Sequence, residues 1–168
     1  MIIRLILCCS LLILKTEASE LEIAEQIFSM DESILKSTLC TYMKKPKAQK
    51  VPDFEDAYSD AIDRVYGKFK TNESLVFKEM CFIAVLNHPV WQIYLSRMFY
   101  EGREWLPRNL EVSHKLYQMV CNNTYLIEQT YDLDPFARVH LAYLQDVFRS
   151  FEDTSSLREH FKALTVTE

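Results

Sequence analysis

The sequence predicts an all-α fold of about seven helices, with an N-terminal antiparallel, coiled-coil-like hairpin packed on or extending from a helical bundle. Only two glycines, Gly67 and Gly102, occur in 168 residues. So few argue against turn-rich all-β folds and glycine-loop nucleotide folds. Apolar residues recur at intervals of three and four over most of the chain, the period of one helix face. The composition, 49% hydrophobic and 26% charged, is that of a globular core rather than a disordered segment. A formal net charge of −5 gives no electrostatic attraction toward nucleic acid or an anionic membrane.

Residues 1–18 read as a secretory signal peptide. Arg4 supplies the basic start, Leu5 to Leu14 form an apolar run too short to span a bilayer, and Thr16-Glu17-Ala18 puts small residues before a cut. No later stretch has the length of a membrane span, since Leu75 to Leu86 is interrupted by Lys78 and Glu79. The expected location is the endoplasmic reticulum lumen or the cell exterior. In that compartment Asn72-Glu73-Ser74 and Asn122-Asn123-Thr124 are acceptor sequons for glycosylation at Asn72 and Asn122. With Cys8 and Cys9 removed, Cys40, Cys81 and Cys121 allow at most one internal disulfide. They read equally well as small apolar residues on helix faces.

Residues 19–70 form the predicted hairpin. Ile23, Ile27, Met30 and Ile34 are spaced four, three and four apart, and a second stripe of Phe28, Leu35, Leu39 and Tyr42 predicts one helix from Leu21 to Met43. Pro46 and Pro52 stop it, because proline lacks the amide donor and clashes with the preceding turn. Tyr58, Ile62 and Val65 lie on a second helix from Asp53 to Lys70, with Asp53, Glu55 and Asp56 at its positive end. Residues 71–168 form the bundle. Asn72 caps a nearly all-apolar helix ending at Leu86, which marks the most buried element. Pro89 and Pro135 each open a helix, where a missing donor costs nothing, and Asp134 is the expected cap of the second. Gly102 and Pro107 interrupt the chain before a helix from Leu110 to Cys121, and Thr154 to Leu164 closes the domain with a short helix.

The search for chemistry finds no converging polar groups. A non-haem iron oxygenase needs a His-x-Asp or His-x-Glu pair. The residues two places after His88, His114, His140 and His160 are Val90, Leu116, Ala142 and Lys162. Glu111-x-x-His114 is half of a di-iron carboxylate motif with no second copy, and reads as an exposed polar pair. Cys-x-x-Cys, a glycine-rich phosphate loop and a serine elbow are all missing from the sequence. No residue of this chain is expected to be catalytic, to bind a cofactor or to hold a metal.

Two tracts resemble a known family. His88-Pro89-Val90 starts one helix, and Leu141-x-x-Leu144-Gln145-Asp146-x-Phe148 lies on another. Both are similar to the N-terminal helical region of the collagen prolyl 4-hydroxylase alpha subunit, and the order of helices from Ile23 to Phe148 matches as well. The proline-bearing linker from Lys44 to Pro52 departs from that pattern. The resemblance implies a non-catalytic assembly module. The family's peptide-binding domain, and the domain that uses iron, 2-oxoglutarate and ascorbate, have no counterpart in these residues. Expected partners are a second copy or an alpha subunit, joined through Ile23, Ile27, Met30, Ile34, Tyr58, Ile62 and Val65, with protein disulfide isomerase as a further partner.

A different class of function starts from aromatic residues. Tyr94, Phe99, Tyr100, Trp105, Tyr117 and Tyr125 offer a groove for an extended proline-rich peptide, although aromatics at helical spacing more often form core. Leu95-x-x-Met98-Phe99, Leu144-x-x-Val147-Phe148 and Ile62-x-x-Val65-Tyr66 hint at degenerate helical repeats of the TPR or Sel1 kind. Their intervals are too uneven for a regular array.

Overall fold

A computed structural model of the chain describes residues 19–46, 50–122 and 135–152. The expected signal peptide, Tyr125, the expected Asp134 cap and the closing helix expected from Thr154 lie outside those residues. Within them the chain forms seven α-helices, one 3-10 turn and no strand. The helices are α1 Glu20–Phe28, α2 Glu32–Tyr42, α3 Phe54–Lys68, α4 Phe77–Val85, α5 Pro89–Glu101, α6 Leu110–Cys121 and α7 Pro135–Glu152. Two compact units divide between Ile83 and Ala84. That division falls inside α4, so most of α4 belongs to the N-terminal unit rather than to the bundle expected from residue 71.

The helix expected from Leu21 to Met43 is two helices. Ser29 ends α1, and its hydroxyl donates to the Gln26 carbonyl at 2.9 Å. Asp31, in extended conformation, starts α2. Serine and aspartate compete with the helical backbone for hydrogen bonds, which favours such a break. The change of direction switches the buried stripe: Ile23 and Ile27 are buried on α1, and Leu35 and Leu39 on α2. Ser19 and Glu22 close a reciprocal capping box on α1, at 3.3 and 3.0 Å. Asp53 caps α3 by accepting the Asp56 amide at 3.0 Å.

Helix α3 buries Ala57, Ala61 and Val65, small residues one turn apart that admit a close neighbour. The Lys36 ammonium lies 4.9 Å from the Phe54 ring centroid, and Lys45 pairs with Asp60 at 3.3 Å. At the end of α2 the Cys40 thiol is raised by burial first and then by the Asp53 and Glu55 carboxylates at the start of α3, so these two ends are neighbours, as in the expected hairpin. Asn72 accepts from the Leu75 amide at 3.2 Å and leads into a 3-10 turn, Ser74–Val76, before α4. Phe77, Met80, Cys81, Phe82 and Ile83 of α4 are all buried.

In the C-terminal unit, Gln92 of α5 donates to the Ala84 carbonyl at 2.8 Å and so satisfies the end of α4. Pro89 occupies the first turn of α5 after His88, and Gly102 ends it at φ +75°, a conformation that glycine adopts without a Cβ penalty. A serine clasp binds α5 to α6. The Ser96 hydroxyl donates to the Ser113 carbonyl at 2.8 Å, and the Ser113 hydroxyl donates to the Ser96 carbonyl at 2.6 Å, with both side chains fully buried. Ser96→Ala is expected to cost about 1 kcal/mol, read as a lower urea midpoint. Helix α7 closes the unit by burying Ala137, Leu141, Leu144 and Phe148 with Val90, Ile93 and Val120.

Candidate interaction surface

The seven residues of the expected seam do not share one environment. Ile23, Ile27 and Val65 are buried within the chain, Met30, Tyr58 and Ile62 are half-buried, and Ile34 is 45% exposed. Core packing, rather than a partner, accounts for the first three. The seam that remains available centres on Ile34 of α2. Tyr66 and Leu75 are further large apolar side chains exposed in this unit.

The same unit holds a buried charge. Glu79 of α4 is fully buried, and the Arg64 guanidinium of α3 pairs with it at 2.9 Å. The Tyr42 hydroxyl of α2 also reaches Glu79. Burial first, and then the Glu79 carboxylate, push the Tyr42 phenol up to about 12. Three helices therefore meet on one carboxylate. The Cys81 thiol is buried nearby and pushed well up by burial and by Glu79, so it is no nucleophile. Cys40, Cys81 and Cys121 are all free thiols.

The aromatic residues proposed for a groove also divide. Phe99 is buried core, and Tyr117 stacks on Phe148 at 5.0 Å. Tyr94 packs on Trp91 at 5.4 Å and on the His140 ring at 4.8 Å. Trp105 is half-buried. Tyr100 meets Tyr143 edge-on at 5.8 Å, and Arg108 lies over its ring at 5.1 Å. These contacts join α5, α6 and α7.

Around Tyr143 lies a cluster that the sequence reading did not single out. Arg97 lies 5.1 Å from the Tyr143 ring, donates to His140 Nδ1, and pairs with Glu101 at 2.6 Å. Arg103 pairs with the same carboxylate at 3.1 Å. Partial burial works to raise Glu101, yet hydrogen bonds from both arginines outweigh it and hold its carboxyl below the usual range. Outward from Tyr143, Phe136 is 68% and Val139 64% exposed. The sequence carried a signal for this: α7 has apolar residues at 136, 139 and 143 as well as at 137, 141, 144 and 148, two faces where an ordinary surface helix has one.

The histidines serve packing. His88 precedes α5, and burial holds its imidazole down to about 4. The His114 ring lies 5.0 Å from Phe148, while Glu111 is exposed, so that pair does not converge. Among the described residues no three His, Cys, Asp or Glu side chains group as metal ligands, and no helix is long and apolar enough to cross a membrane. Asn72 is exposed, with its side-chain oxygen accepting from the Ser74 hydroxyl at 2.8 Å. Asn122 is exposed at the end of α6. Compared with models of known protein families, with curated proteins and with solved structures, the chain finds no match.

Proposed function

We propose that this chain is a non-catalytic helical module that joins proteins in the secretory pathway, of the kind found in the N-terminal region of the collagen prolyl 4-hydroxylase alpha subunit. One observation carries the reading. The two tracts that resemble that region meet in space: Val90 of His88-Pro89-Val90 shares a buried cluster with Leu141, Leu144 and Phe148 of the Leu-Gln-Asp helix. Such packing gives both patterns a common purpose in holding the module together. Ile34, exposed on α2, supplies an apolar contact point toward a second copy or an alpha subunit.

Co-expression with a prolyl 4-hydroxylase alpha subunit in the endoplasmic reticulum tests the reading. The two are expected to co-purify, and Ile34→Asp should weaken recovery about ten-fold by leaving a carboxylate unpaired in the contact. Ile34 is exposed, so the substitution leaves the fold in place. Neither partner recovered with the other, and no self-association, would overturn the proposal. For the peptide-groove alternative, Phe99 is core and does not offer a contact to a peptide.

A further inference from the structure

We propose that in the secretory pathway Asn72 takes an N-linked glycan on its side-chain nitrogen, while the oxygen of the same amide holds the turn between α3 and α4 together. This site presupposes the secretory part of the proposed function, because its glycan donor is met in that compartment. The motif Asn72-Glu73-Ser74 marks an acceptor. The fold adds what the motif alone lacks, a division of labour between the two ends of one amide. Lys70, Thr71, Asn72, Ser74 and Leu75 are all exposed, within one short stretch of the N-terminal unit, so a bulky hydrophilic branch has room there.

Three hydrogen bonds fix Asn72. Its main-chain N–H donates to the Lys68 carbonyl at 2.9 Å, which ties it to the end of α3. Its side-chain oxygen accepts from the Leu75 amide at 3.2 Å and from the Ser74 hydroxyl at 2.8 Å. A backbone N–H only donates, so the atom facing Leu75 is the oxygen and the amide is not turned over. Asparagine serves such a turn through its oxygen alone. The nitrogen, Nδ2, is left over, and no described residue accepts a hydrogen bond from it.

Glycan transfer uses that free end. Nδ2 bonds to the anomeric carbon of an oligosaccharide, and the bond from that carbon to the diphosphate of a lipid carrier breaks. The lipid diphosphate leaves, and Nδ2 gives up one of its two protons. The oxygen is not consumed, so the product keeps an acceptor for the Leu75 amide and the Ser74 hydroxyl and folds to the same turn. The sugar then stands beside Leu75, whose side chain is 49% exposed. The other acceptor, Asn122, is exposed at the end of α6, and its hydroxyl residue, Thr124, lies outside the described residues.

Translation of the full chain with endoplasmic reticulum microsomes tests the site, once behind residues 1–18 alone and once behind an added leader of proven translocation. Asn122→Gln in every sample leaves Asn72 as the one sequon asparagine. Behind the added leader a single glycan, released by peptide N-glycosidase, is expected. It should persist with Ser74→Thr and be lost with Ser74→Ala and with Asn72→Asp. The part played by the oxygen is read on glycan-free protein. Asn72→Asp keeps an acceptor for the Leu75 amide and should keep the urea midpoint of the unglycosylated native chain, whereas Asn72→Ala should lower it. No glycan behind the added leader overturns the proposal, as does one that survives Ser74→Ala, or equal midpoints for Asn72→Asp and Asn72→Ala. A glycan behind the added leader but none behind residues 1–18 supports the site and contradicts the secretory reading instead.

Discussion

Replacing Arg64 by leucine is expected to destabilise the N-terminal unit by about 3–5 kcal/mol. The guanidinium is 42% exposed and Glu79 is fully buried, so the two partners are not equivalent. Removing Arg64 strands a carboxylate where water does not reach, whereas removing Glu79 strands a cation that turns into solvent. The Tyr42 hydroxyl still reaches Glu79 in the variant, but one neutral donor does not replace a charge. Urea unfolding of the two single variants and the double variant measures this asymmetry. Glu79→Leu should cost less than Arg64→Leu, and the pair together should recover part of the loss, because apolar side chains of similar volume often replace a buried ion pair at little cost. An Arg64→Leu loss below about 1 kcal/mol would show that the carboxylate has another strong partner.

Acidification is expected to weaken the fold through His88. Burial holds the folded imidazole at about 4, against an ordinary 6.5. The unfolded chain therefore takes up a proton on falling through 6.5, and the folded chain does so only near 4. Stability is full above 6.5 and declines as the pH is lowered from 6.5 toward 4, by about 3 kcal/mol across the window. Glu101, held below its ordinary 4.5, adds a loss in the same direction at lower pH, as its carboxylate is protonated and the Arg97 and Arg103 pairs are lost. Urea midpoints at neutral pH and near the bottom of the window separate the contributions. His88→Asn keeps a residue suited to the helix entry and should flatten the upper part of the profile. An unchanged profile would assign the acid sensitivity to other groups.

Much of the fold was legible because the signals are local. Pro89 and Gly102 mark the ends of α5 through backbone chemistry that the sequence prints directly. The apolar run from Leu75 to Leu86 announced the most buried helix. The break at Ser29–Asp31 was not legible, because apolar spacing continues across it and the heptad pattern outweighed two weak helix formers. Ala57 and Ala61 of α3 are fully buried, but periodicity does not identify the neighbour they meet. Burial also decided which apolar residues were surface: Ile27 and Ile34 look alike in sequence, yet one is core and the other solvent-facing. The Arg97–Glu101–Arg103 cluster pairs across short separations, but its link to Tyr143 and His140 is long-range.

The Ile34 position also decides how the central claim should be tested, since aspartate at the buried Ile27 would unfold the chain instead of dissociating it. Sedimentation equilibrium of residues 19–168 at micromolar concentration is the most direct measurement. A dimer is predicted for the native chain, and a monomer of unchanged helicity for Ile34→Asp. A native protein that sediments as a monomer throughout, or a dimer indifferent to Ile34→Asp, would contradict the account.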